Sequence, residues 1–169
     1  INPWDKVILS EYEGELSFES GDIIAAKRTL NDAYVRARDL SPESTLMSQI
    51  CRRLGQVELM LDNLDEALKM AQKSYDLAVK IGEKTEIGLS QAVMAEIFAA
   101  RGNFPSALEY IQNGLDVLRK AGDPYDISRS LLVLADIHIR AGESNRNLID
   151  KTYEEAFKIF NKLRLFYWS

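Results

Sequence analysis

Apolar residues recur at three- and four-residue spacing along almost the whole chain. In 64–81, Leu64, Ala67, Leu68, Ala71, Tyr75, Ala78 and Val79 form one stripe. Asp65, Glu66, Lys69, Gln72, Lys73, Asp76 and Lys80 occupy the facing side, with opposite charges at helical spacing. That pattern specifies an amphipathic helix. The same period predicts helices over 3–20, 22–40, 43–61, 64–81, 85–101, 104–121, 124–141 and 152–164, and no alternating strand pattern competes with it.

The breaks are equally regular. Ser41-Pro42, Ile81-Gly82 and Ala121-Gly122-Asp123-Pro124 end every second helix, with Gly suited to a helix C-cap and Pro to a first turn. Ser20-Gly21-Asp22, Asp62-Asn63 and Gly102-Asn103 join the helices in between. Connections this short force antiparallel neighbours.

The chain also repeats itself. Gly14, Gly55, Ala95 and Ala135 stand 41, 40 and 40 residues apart. Twelve residues after the first three come Ala26, Ala67 and Ala107, and seven after all four come Gly21, Asp62, Gly102 and Gly142. Small residues at both marks let two helices approach closely, and the turn residue breaks the first of them. A period of this length predicts a solenoid whose units bury their apolar faces only against neighbours. The repeats run approximately over 3–40, 43–81, 85–121 and 124–164, as one repeat domain.

Two places depart from the rhythm. After Gly142 the alanine arrives late, at Ala156, so nine extra residues fall within 143–151, ESNRNLIDK. They read as a polar insertion in a turn, either a tolerated surface loop or a contact element. At the C-terminus, Lys162 and Tyr167 have the spacing of Lys120 and Tyr125, which places the start of a fifth repeat at 162–169. Leu163, Leu165, Phe166, Tyr167 and Trp168 are expected to cover the apolar end of the stack or to join two chains; Leu165, Phe166, Tyr167 and Trp168 are the self-association candidates, through which a homodimer would form. The chain begins at Ile1 rather than Met and reads as a piece of a longer protein.

Charge narrows the partners. Residues 1–22 hold six acidic side chains against Lys6, and this accounts for the whole net charge of −5. No basic face stands out for nucleic acid, which is not an expected partner. No apolar run approaches the ~20 residues of a membrane span, and no secretory signal is present, so membrane is not expected either and the location is read as cytoplasmic. A lone cysteine, Cys51, rules out an internal disulfide and reads as a small buried helix residue.

These marks resemble the tetratricopeptide repeat. That family places Gly or Ala midway along a first helix and Ala early in the second. Leu54-Gly55 with Ala67 and Ala71 fits, as do Ala95 with Ala107, and Gly14 with Ala26, Leu30 and Ala33. Gly142, Ala156 and Phe160 mark a fourth pair. The family's tryptophan and late proline are missing. The ~40-residue spacing is similar to the longer-helix subgroup, which includes kinesin light chains, spindle-orientation adaptors, peptide-sensing regulators and the sensor ends of bacterial signalling ATPases. The phrases LAVKIGEKTEIGLS and VLRKAGDPYDISRS most resemble the last group. The resemblance implies an all-α, right-handed superhelical solenoid of four antiparallel helix pairs. It implies a non-catalytic protein- or peptide-binding scaffold, the sensor or regulatory module of a bacterial multidomain signalling or transcriptional regulator. A free-standing adaptor or peptide-pheromone sensor is the alternative, and a regulatory part of an enzyme with its catalytic domain elsewhere is the other.

In the family, first helices line a concave groove. Counting from the marks places Glu15, Gln56, Glu96 and Asp136 on that groove. Glu11, Glu15 and Glu19 stack at four-residue spacing, as an exposed acidic end or as a site for basic partner residues. Arg52, Arg53, Arg129 and Arg140 can bind a ligand's carboxylates bidentately, or pair internally as structural groups. Catalysis finds no support. The sole histidine, His138, lies in an apolar stretch, and no nucleophile triad, phosphate loop, HExxH or CxxC occurs. No cofactor or metal site is expected.

Overall fold

The computed structural model describes residues 2–121, 123–142, 144 and 146–167. The turns explain how the chain is laid out. Gly21, Asp62, Gly102 and Gly142 all take left-handed backbone, with φ of 86°, 60°, 75° and 75°. Glycine meets that conformation without a Cβ clash, and aspartate is among the few other residues that tolerate it. At Gly21, Asp62 and Gly102 the closing hydrogen bonds are the same. The turn residue donates to the carbonyl three back, and the next residue donates to the carbonyl five back, as in Gly102 to Ala99 and Asn103 to Phe98. This satisfies carbonyls that a helix end would leave unpaired. Asp22 then caps the following helix by accepting from the Ala25 amide at 2.9 Å, and Asn103 does the same for Ser106 at 3.2 Å.

Among the described residues eight helices result: α1 (Pro3–Glu19), α2 (Ile23–Leu40), α3 (Thr45–Met60), α4 (Leu64–Ile81), α5 (Lys84–Ala100), α6 (Phe104–Ala121), α7 (Pro124–Arg140) and α8 (Arg146–Tyr167). No strand occurs among the described residues. The chain divides into two compact units, Ile1–Glu86 and Ile87–Ser169. In the first, α1 packs on α2 and α3 on α4, with α2 against α3 and α1 touching α3. Lys73 of α4 meets Tyr34 of α2, so the second helices form their own layer behind α1 and α3. In the second unit, α7 packs on α8 and on α6.

The small residues do what their spacing predicts. Ala26, Ala67, Ala107 and Ala156 have no exposed surface. A Cβ built on Gly55 would lie 3.2 Å from the Ala67 carbonyl oxygen and 3.3 Å from the Ala71 amide, so the two helix backbones nearly touch there. A second close approach has no counterpart in the sequence reading. Ser48 of α3 and Ser74 of α4 are buried and donate to each other's carbonyl oxygens at 2.9 and 2.8 Å. Forty residues on, Gly88 of α5 and Gly114 of α6 take the same places. A Cβ on Gly114 would sit 2.8 Å from the Gly88 carbonyl oxygen. Gly114→Ala should therefore lower stability in a urea melt by about 1–3 kcal/mol despite alanine's better helix propensity, because helix backbone cannot step aside. Gly14→Ala should be milder, since the atoms nearest its Cβ belong to the Leu30 side chain rather than to helix backbone.

The end of the chain corrects two expectations. α8 begins at Arg146, so most of the 143–151 insertion is helix rather than loop, and it lengthens α8 by about a turn and a half. Thr152 fixes this stretch by donating to the Leu148 carbonyl at 2.9 Å. α8 also runs unbroken through Lys162 to Tyr167, so the segment expected to open a fifth repeat is the end of α8. Of the self-association candidates, Trp168 and the side chains of Leu165, Phe166 and Tyr167 lie outside the described residues.

Candidate functional site

The first-helix layer of each unit carries the charged side chains that the sequence singled out. On α1, Glu11 and Glu15 point along the edge that faces α3. Arg53 of α3 reaches both carboxylates, through Nε to Glu11 and through a terminal nitrogen to Glu15 at 2.7 Å. Glu11 is buried and Glu15 half-buried, so one guanidinium cancels the repulsion that their spacing would create. Glu19 is exposed at the end of α1, and Gln56 is half-buried on α3. Arg52 points elsewhere. It is buried, and its Nε donates to Glu86 at the start of α5 at 2.8 Å, with a second contact at 3.3 Å. Arg52 and Arg53 are thus held by internal carboxylates.

Beside the Glu11–Arg53 pair lies an open cleft of about 440 Å³ between α1 and the N-terminal end of α3. Trp4, Ile8 and Tyr12 line its α1 wall, and Ser44, Thr45, Leu46 and Gln49 line the other. Trp4 packs on the core beneath, while Tyr12 is 63% exposed. Ile8 and Tyr12 were not singled out from the sequence, although the four-residue spacing of Trp4, Ile8 and Tyr12 is visible in α1. A second cleft, of about 400 Å³, lies on the second-helix side, where Lys69, Lys73 and Lys80 of α4 line it.

In the second unit, Glu96 of α5 faces Arg129, Asp136 and Arg140 of α7. Burial pushes the Glu96 carboxyl up to about 7, against the pull of Arg129; Asp136 adds to the rise and Arg140 opposes it. Arg140 donates to the Ala99 carbonyl at 3.0 Å and approaches Asp136 at 3.5 Å, which ties the ends of α5 and α7 together. Arg129 is exposed and stands over the Tyr125 ring. The four groove positions therefore fall two and two, with Glu15 and Gln56 in one unit and Glu96 and Asp136 in the other.

Cys51 is fully buried beside Met47, and burial pushes its thiol up to about 11, which leaves little thiolate at neutral pH. His138 is a buried helix residue. No group of three or more metal-ligating side chains occurs among the described residues, and no described helix is long and apolar enough to cross a membrane.

Solved structures share this arrangement. BtubC (BKLC) from P. vanneervenii superposes with a TM-score of 0.74 at 14% identity, over 96% of this chain and 66% of its own. A Rap protein solved with competence and sporulation factor gives 0.83 at 12%, over 96% of this chain and 45% of its own. The nearly identical TPR-like repeats of a putative kinesin light chain from Podosopora anserina give 0.64 at 16%, over 94% and 76%. The fold is that of a tetratricopeptide-like repeat domain. The TPR-like likeness is one of shape, since no family model and no curated protein matches the sequence. The chain spans less than half the length of the Rap protein and 66% of BtubC.

Proposed function

We propose that this TPR-like domain binds a protein or peptide segment between its first helices, without chemistry of its own, and that the α1–α3 cleft is the principal site. The observation that carries this reading is an open cleft whose wall is aromatic and aliphatic, next to a carboxylate pair that one arginine only half neutralises. Trp4, Ile8 and Tyr12 offer a floor for an apolar anchor. Glu15 and exposed Glu19 favour a basic residue beside it. Small polar groups on α3, including Gln49, can pair with backbone amides of an extended segment. The Rap structure, solved with competence and sporulation factor, lends support from a chain of the same fold. We read the domain further as the sensor or regulatory module of a larger cytoplasmic bacterial signalling or transcriptional regulator. Its support is the repeat length and the wording of the turns after α4 and α6.

Selection of displayed random peptides against the domain tests the site. The selected sequences should pair an aromatic or aliphatic residue with Lys or Arg. Ile8→Glu/Tyr12→Glu should weaken their binding by at least about tenfold, which corresponds to 1.4 kcal/mol. Added salt should weaken it as well, since rim charges are screened over ~8 Å at physiological ionic strength. Peptides that bind the double variant unchanged would move the site away from this cleft.

A further inference from the structure

One backbone oxygen in the second unit holds three elements together. The Ala99 carbonyl, near the end of α5, accepts from the Gly102 amide of the following turn at 3.0 Å and from Arg140 of α7 at 3.0 Å. Arg140 thereby ties the end of α7 to the turn between α5 and α6. Glu96 stands three positions before Ala99 on α5, about 4.5 Å along the helix, a distance that a change of Arg140 rotamer covers. An ionised carboxylate accepts a guanidinium more strongly than a peptide carbonyl does, and can take two parallel N–H bonds. The seam therefore offers Arg140 two acceptors on α5, and only one of them titrates.

The surroundings of Glu96 set where it titrates. The carboxyl is half-buried, and the charges that act on it, Arg129, Asp136 and Arg140, all come from α7. α6 approaches α5 at the Gly88–Gly114 crossing, and its buried residues Ala107, Ile111, Gly114, Leu115 and Leu118 carry no charge. His138 of α7 is buried and is not among the groups that act on Glu96. Burial outweighs the arginines and pushes the carboxyl up to about 7, so the choice between acceptors falls near neutral pH. Asp136 shares α7 with Arg140 and does not decide between the two sites on α5. The α1–α3 seam is built differently. Glu15, the counterpart of Glu96, already holds Arg53 at 2.7 Å, and Met60 stands in the place of Arg140.

We propose that the α5–α7 seam is a proton-operated latch. With Glu96 protonated, Arg140 holds the Ala99 carbonyl and the turn after α5; with Glu96 ionised, it leaves that carbonyl for the carboxylate. The latch lies within the unit Ile87–Ser169 and stands or falls separately from the Trp4–Ile8–Tyr12 cleft.

Nuclear magnetic resonance of the isotope-labelled whole chain from about pH 5.5 to 8.5 tests it, with circular dichroism melts to show that each variant is folded throughout. The Gly102 amide and the Arg140 Nε–H should shift together along one titration with its midpoint near 7, the value for the Glu96 carboxyl. In Glu96→Gln both signals should keep their acid positions over the whole range. In Arg140→Gln the Glu96 carboxyl carbon should still titrate, while the Gly102 amide no longer follows it. A Gly102 amide that does not titrate, a titration that survives in Glu96→Gln and so belongs to His138 or another group, or one that survives in Arg140→Gln would each overturn the proposal.

Discussion

Replacing Arg52 with methionine should destabilise the first unit by about 3–5 kcal/mol, because it strands the Glu86 carboxylate in a buried site. The pair joins residues 34 positions apart, from the middle of α3 to the first turn of α5. Both side chains have left water, so the attraction between them offsets a desolvation cost that neither can meet alone. Removing both charges together is a different matter. Arg52→Met/Glu86→Leu should recover most of the loss, since a buried pair is often replaceable by apolar groups of similar volume. Urea melts of the two single variants and the double variant give the coupling directly. If Arg52→Met melts like the parent but loses peptide binding, Arg52 belongs to the recognition surface after all.

Glu96 should make the second unit less stable as the solution becomes more alkaline. A carboxyl that holds its proton more tightly folded than unfolded favours the folded state while protonated. That contribution is present below the unfolded pKa of about 4.5 and is lost as pH rises through the folded value of about 7. The full difference corresponds to roughly 3 kcal/mol, and partial exposure of the side chain reduces the expected effect to about 2 kcal/mol. Glu96→Gln should therefore raise stability at pH 8 by about 2 kcal/mol and change little at pH 4.5. A thermal or urea series across that range reads the difference. Equal stability of the two proteins at pH 8 would mean that Arg129 and Arg140 hold Glu96 ionised at little cost.

The helices and their pairing were legible because local rules set them. Period, caps and turn residues lie within a few positions of one another, and the boundaries of α4 and α6 follow from them to the residue. The start of α8 was hidden because a polar run such as ESNRNLIDK carries no strong stripe, although Arg146–Lys151 contains nothing that breaks a helix. The charged sites were only half legible. Glu11, Glu15 and Arg53 were each visible on a first helix, but their pairing depends on which face of α3 meets α1. Arg52 and Arg53 are neighbours in sequence and diverge in fate because successive helix positions point about 100° apart. The Ser48–Ser74 contact escaped for a related reason. Its repeat equivalents are Gly88 and Gly114, and the shared property is smallness at a crossing point rather than residue type.

The most direct measurement is a set of amide chemical-shift changes when a selected peptide is added to isotope-labelled protein. The largest changes should fall on α1 and the N-terminal half of α3, around Ile8, Tyr12 and Gln49, and should vanish in Ile8→Glu/Tyr12→Glu. Changes centred instead on Lys69, Lys73 and Lys80 of α4, and unaltered by that double substitution, would contradict it and place recognition on the second-helix side.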